Sequence, residues 1–209
     1  MADYGGLKKR VDELAARDWD EAGLQTRVKR LAAEGIPKKT LNRDEVVAGR
    51  EQILDRVQRR AEEYNFVARN CARGTALAVM EEFGLGNLEI VRALSPFPGF
   101  GGTGWMCGGV TGGLIALGLY FGSDEVVDYE ATGATIMAAR SFMPRFEEEA
   151  GSLLCPNLQE DVVFGRYMDP AASEENMQAF ALAKGFEKCG VLPGIGARIA
   201  ADIIIQSLE

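Results

Sequence analysis

The sequence predicts an all-α fold, a compact helical bundle with a helical N-terminal extension. Three observations carry this. Apolar residues recur at helical spacing in most segments, no segment shows the alternation of a half-buried strand, and the breaks coincide with glycine, proline or capping residues. A length of 209 residues suits one domain with an appendage, divided here into an extension over 1–63 and a cysteine-containing core over 64–209.

Each element has a local reason. Residues 7–17 and 20–33 carry helical stripes such as Leu24, Val28 and Leu31, and Gly35-Ile36-Pro37 breaks the second. Asn42 with Glu45 three residues on is a capping-box pattern. The long helix it opens, about 43–66, has Val47, Leu54, Val57, Ala61 and Tyr64 on one stripe and charged residues opposite. That stripe suits either the chain's own core or a partner, such as the second copy of a homodimer. Residues 70–84 mix small and apolar types and end at Gly84 and Gly86. A short helix over 87–94 stops at Pro96, and an uncharged glycine-rich loop leads into a helix over about 107–121. Residues 130–149 repeat a stripe of Ile136, Ala139, Met143 and Phe146, with Pro144 predicting a kink or boundary. Residues 151–172 read as irregular. Ser173 caps a helix reaching Cys189, Gly190 closes it, and Pro193 begins the last one.

The net charge of −8 opposes a non-specific phosphate-binding surface, so nucleic acid is not the expected partner. The first residues lack the apolar region of a signal peptide, and four cysteines are too few for a secreted disulfide framework. The expectation is a cytoplasmic protein. The charge-free run over 93–123 reads as a buried central helix rather than a membrane span, because its first part is Pro- and Gly-rich.

Chemistry without histidine points to thiols. Cys107 sits where the glycine loop enters a helix, and free N–H groups at a helix N-terminus lower a thiol's pKa. Gly102, Gly104, Trp105, Gly108 and Thr111 are candidate substrate-binding residues around it, with Phe97 and Phe100 as pocket walls. The alternative is a small core cysteine among glycines that let helices pack closely. Cys71, Cys155 and Cys189 share its tendency to fall at helix ends or turns. Converged at one pole, the four would suit zinc or an iron–sulfur cluster, and as two pairs they would suit dithiol–disulfide exchange.

These residues resemble the C_GCAxxG_C_C family of redox-active proteins. The likeness is carried by Asn70-Cys71-Ala72, Gly101 to Gly112 around Cys107, Leu114 to Gly122, Phe146, Cys155 and Cys189, and spans roughly 64–190. The family label would put Gly at Met106, Ala at Gly108 and Gly at Thr111. The resemblance implies an all-helical protein whose cysteines act together, by binding a metal or cluster or by cycling as thiols. The expected function is therefore redox work at a four-cysteine site, in electron transfer or reductive small-molecule chemistry, with a small molecule or a redox protein as partner. An oxidoreductase with Cys107 as catalytic thiol is one form of it.

Two other readings remain. A pocket enzyme could use Cys107 as nucleophile or Tyr120 or Tyr129 as acid, its other cysteines being structural. The run from Val191 through Pro193, Gly194 and Gly196 is similar to the turn of helix-hairpin-helix DNA-binding modules, whose glycine amides grip a phosphate. Gly102-x-Gly104 lacks the preceding strand that a dinucleotide loop requires.

Overall fold

A computed structural model describes residues 2–209 and is all-helical; among the described residues the one β pairing is an isolated bridge between Met106 and Leu154. The order is α1 Tyr4–Ala16, α2 Glu21–Glu34, α3 Arg43–Ala48, α4 Arg50–Ala68, α5 Cys71–Phe83, α6 Leu88–Ala93, the single turn α7 Gly99–Gly102, α8 Gly108–Phe121, α9 Tyr129–Ala150, α10 Cys155–Leu158, α11 Glu174–Leu182, α12 Gly185–Lys188 and α13 Val191–Gln206. Side-chain caps start most of the longer ones: Asp3, Asp20, Asn42, Asn70, Asp128 and Ser173 each accept a backbone N–H of the first turn.

Three boundaries differ from the sequence reading. The long helix expected over 43–66 divides at Gly49 into α3 and α4. The helix expected from 173 to 189 divides too: α11 ends at Leu182 and Lys184 adopts a left-handed φ of 57°. The segment expected to be irregular contains α10, which runs straight into a π-helical turn over Gln159–Phe164. Pro144 sits on an exposed face, and α9 passes through it unbroken.

The core forms around α13, which packs on α4, α5, α8 and α9. Gly185–Gln206, spanning α12 and α13, is the one described stretch long and apolar enough to cross a membrane. Of its most apolar window, 83% is buried inside the protein, which makes it the core helix of this fold. The helix within the charge-free run, α8, is likewise largely buried.

Glycines set how closely these helices approach. A Cβ on Gly112 of α8 would lie 2.4 Å from the Ala72 carbonyl oxygen of α5, and one on Gly196 of α13 would lie 2.3 Å from that of Gly109 of α8. Gly194 and Gly196 are therefore buried inside α13, and the Gly194 N–H is spent on the Gly190 carbonyl. The phosphate-gripping hairpin of a DNA-binding module is absent at these residues.

The N-terminal helices are fastened by acids of α4 and α5. Glu62 of α4 is fully buried and takes a bidentate pair from Arg10 (2.8 Å to each carboxylate oxygen) and a bond from Arg17. Burial pushes its carboxyl up while the two arginines pull it down. Arg27 of α2 binds Glu81 and the Tyr64 hydroxyl, and Tyr64 donates to Glu81. The expected boundary at 63/64 falls within α4, whose Ile53, Leu54, Val57, Ala61 and Tyr64 belong to the common core. The stripe that could have served a partner is covered by the chain itself.

Candidate functional site

The four cysteines come together from four parts of the chain. Cys71 is the first residue of α5. Asn70 before it caps that helix, accepting from the Arg73 N–H and donating to the Ser95 carbonyl. The backbone N–H groups of Gly108, Gly99 and Ala72 lie near the Cys71 sulfur and oppose the rise in its pKa. Cys107 caps α8, its sulfur accepting the Gly109 N–H at 3.4 Å. Cys155 opens α10. The short bridge holds these last two side by side: the Cys107 N–H binds the Leu153 carbonyl at 2.9 Å, and the Cys155 N–H binds that of Trp105 at 2.8 Å. Cys189 lies in the tight connection between α12 and α13.

All four are free thiols. Burial pushes each pKa up, and their nearness pushes further. The Cys107 thiol, raised well above its ordinary value, feels the other three; that of Cys189, raised likewise, feels Cys155 and Cys71; and that of Cys155, pushed up to about 12, feels Cys71. Cys71 is thus the common neighbour. Its own pKa is also raised by burial, against the pull of the surrounding N–H groups.

Cys71, Cys155 and Cys189 line a cavity of about 310 Å³, and Cys107, 3% exposed, lies behind it. The glycine loop forms one wall through Gly99, Gly102 and Gly104. Left-handed backbone at all three folds it tightly, and a Cβ on Gly104 would lie 2.3 Å from the hydroxyl of Tyr167, which packs against it and also lines the cavity. Phe180 and Phe186 close the other side, and the Arg69 guanidinium stands 5.2 Å over the Phe186 ring.

Of the expected substrate-binding residues, Gly102 and Gly104 line the cavity. Trp105 is 61% exposed and outside it. Thr111 is buried, its hydroxyl returning to the Gly108 carbonyl. Gly108 instead makes room for a thiol: a Cβ there would lie 2.1 Å from the Cys71 sulfur. An alanine at that position, as in the family label, would strike that sulfur in this structure. Phe97, Phe100, Tyr120 and Tyr129 do not line the cavity. The lowered pKa expected of Cys107 is not found, because full burial outweighs one long N–H contact.

Gln159 was missed in the sequence. It is buried in the π-helical turn, where its side-chain oxygen accepts the Met168 N–H at 2.7 Å, which aims its amide nitrogen at the Cys155 sulfur, 3.6 Å away. Its four-residue spacing from Cys155 is the only signal the sequence holds.

The thiol set has the soft donors that zinc or an iron–sulfur cluster prefers. Among the described residues no three cysteine, aspartate or glutamate side chains are grouped to bind one ion.

The raised pKa values set an alkaline limit on stability. A thiol that is harder to ionise in the folded chain binds its proton more tightly there than in the unfolded one. Stability is therefore full below the unfolded thiol pKa of about 8.5 and falls as pH rises toward the folded values, by up to about 1.4 kcal/mol per pH unit for each thiol. Thermal melts between pH 8 and 11 should show Tm falling steadily. A Cys155→Ala variant should fall less steeply.

No curated protein and no solved structure shows significant similarity to the chain. A family model described as "Putative redox-active protein (C_GCAxxG_C_C)" matches residues 69–203, more than half of the chain and the whole span that holds the four cysteines. With its cysteines gathered at one cavity, the chain belongs to the C_GCAxxG_C_C family of redox-active proteins.

Proposed function

We propose that the protein exchanges electrons with small disulfides through Cys71 and Cys155, in the cavity these thiols share. The observation that carries this is the setting of Cys71. It lines the cavity, neighbours every other thiol, and has backbone N–H groups of α5, α7 and α8 near its sulfur. Such donors stabilise a thiolate as it forms.

In the first step the Cys71 thiolate attacks one sulfur of the substrate disulfide, forming a mixed disulfide and releasing one thiolate. The Cys155 thiolate then attacks the Cys71 sulfur and releases the second. Two cysteine protons pass to the two leaving thiolates. One substrate disulfide is reduced to two thiols while Cys71 and Cys155 are oxidised to a disulfide, and a dithiol reductant reverses the sequence. Gln159 orients the Cys155 sulfur, and Cys107 and Cys189 keep the pocket short of charge. Because the thiols are hard to ionise, the rate should rise about tenfold per pH unit from neutrality into the alkaline range.

The test is mild oxidation of the anaerobically purified chain, followed by intact-mass analysis and peptide mapping, with iron, zinc and sulfide measured on the same sample. Loss of two hydrogens and a Cys71–Cys155 cross-link is expected. Stoichiometric metal with both thiols inert to oxidant would overturn the reading and support ligation instead.

A further inference from the structure

We propose that the outer face of α9 is a two-fold interface with a second copy of this chain. The helix buries Ala138, Phe142 and Phe146 on one side. On the other it leaves large apolar side chains in solvent: Ile136 is 52% exposed, Met137 67% and Tyr129 86%, with Val126 and Val127 exposed just before it. Gly133 is open, and a Cβ there would meet nothing within 4 Å. No charged residue lies between Glu130 and Arg140, and among the described residues neither of these two forms an ion pair. The hydroxyls of Thr132 and Thr135 are spent on carbonyls of their own helix, so this stretch presents no unmet side-chain donor.

The pattern is self-complementary in one register. In an antiparallel pair about a two-fold axis at Thr135, residues equidistant from that position face each other. Glu130 then meets the partner's Arg140. Gly133 meets the partner's Met137, so the largest side chain at the seam finds open space opposite. Val126 meets the partner's Pro144. Symmetry repeats every pairing, and small residues in the seam let the helix axes close to about 8 Å. A slide of one turn would set Met137 against the partner's Met137 and leave both charges unmatched. Charge and size agree on a single register, which favours a second copy over an unrelated partner.

Sedimentation equilibrium on the full chain tests this. Wild type should approach twice the 22.6 kDa chain mass. Met137→Glu should return it to the single-chain mass with an unchanged helical spectrum, since the position is on the surface. Glu130→Arg and Arg140→Glu should each weaken association about tenfold, and the double swap should restore it. Wild type at single-chain mass into the millimolar range, a dimeric Met137→Glu, or a double swap as weak as the singles would overturn the proposal.

Discussion

Cys71→Ser is expected to abolish disulfide exchange, with a loss on the order of 10⁴-fold or more, the scale seen when a catalytic nucleophile is removed. A serine hydroxyl fits the same space and accepts the same N–H groups, so the fold should survive. It cannot form a disulfide, however, and it ionises far above the working pH. The companion variant is informative because it stops one step later. With Cys155→Ser, Cys71 still attacks, but the mixed disulfide has lost the thiol assigned to resolve it. Treatment with an aromatic disulfide should then leave one aryl adduct on Cys71, visible by intact mass. Cys107→Ser should retain turnover, because that thiol is buried behind the cavity. Full activity in Cys71→Ser would remove the basis of the proposed chemistry.

Gly112→Val should be among the most damaging single changes to the fold. A Cβ at 112 would stand 2.4 Å from the Ala72 carbonyl oxygen and 2.8 Å from the Thr75 Cβ. The nearest obstacle is backbone, so no rotamer change relieves it and α8 must move off α5. Removing a glycine from a helix interior recovers only about 0.5 kcal/mol of propensity for valine. Forced overpacking costs about 3 kcal/mol or more when backbone has to shift. The net loss is a large share of an ordinary stability of about 5–15 kcal/mol. A drop in Tm of roughly 5–10 °C by calorimetry is expected for a chain of this size. Gly118→Ala, with nothing within 4 Å of its added Cβ, is the control that should not destabilise.

Helix content was legible because capping residues and apolar spacing are local signals. Asn42 and Ser173 mark helix starts by their own side chains. The gathering of the cysteines was legible only through the family pattern, since no two thiols are close in sequence. Burial could not be read at all. Cys107 has the sequence context of an activated thiol, but its pKa is governed by neighbours brought from α5, α10 and the α12–α13 connection. The same holds for Glu62. On the helix pattern it belongs to a charged outer face, yet Arg10 and Arg17, 52 and 45 residues away, cover it. The helical extension expected as an appendage is joined to the core by such long-range pairs, which leave no mark in local composition.

The position of α13 bears on how the protein matures. Synthesis runs from N- to C-terminus, so the helix that α4, α5, α8 and α9 all pack against is the last of them to appear. Cys71, Cys107 and Cys155 leave the ribosome before it. A nascent chain carries these thiols in water, at ordinary acidity, about 8.5 for a free cysteine. In that interval each is more easily ionised than in the finished protein, and none has the partner the final packing gives it. In the finished protein Cys107 is buried, while Cys71, Cys155 and Cys189 line the cavity. The packing that gathers the cysteines at the cavity therefore needs a helix made after three of them.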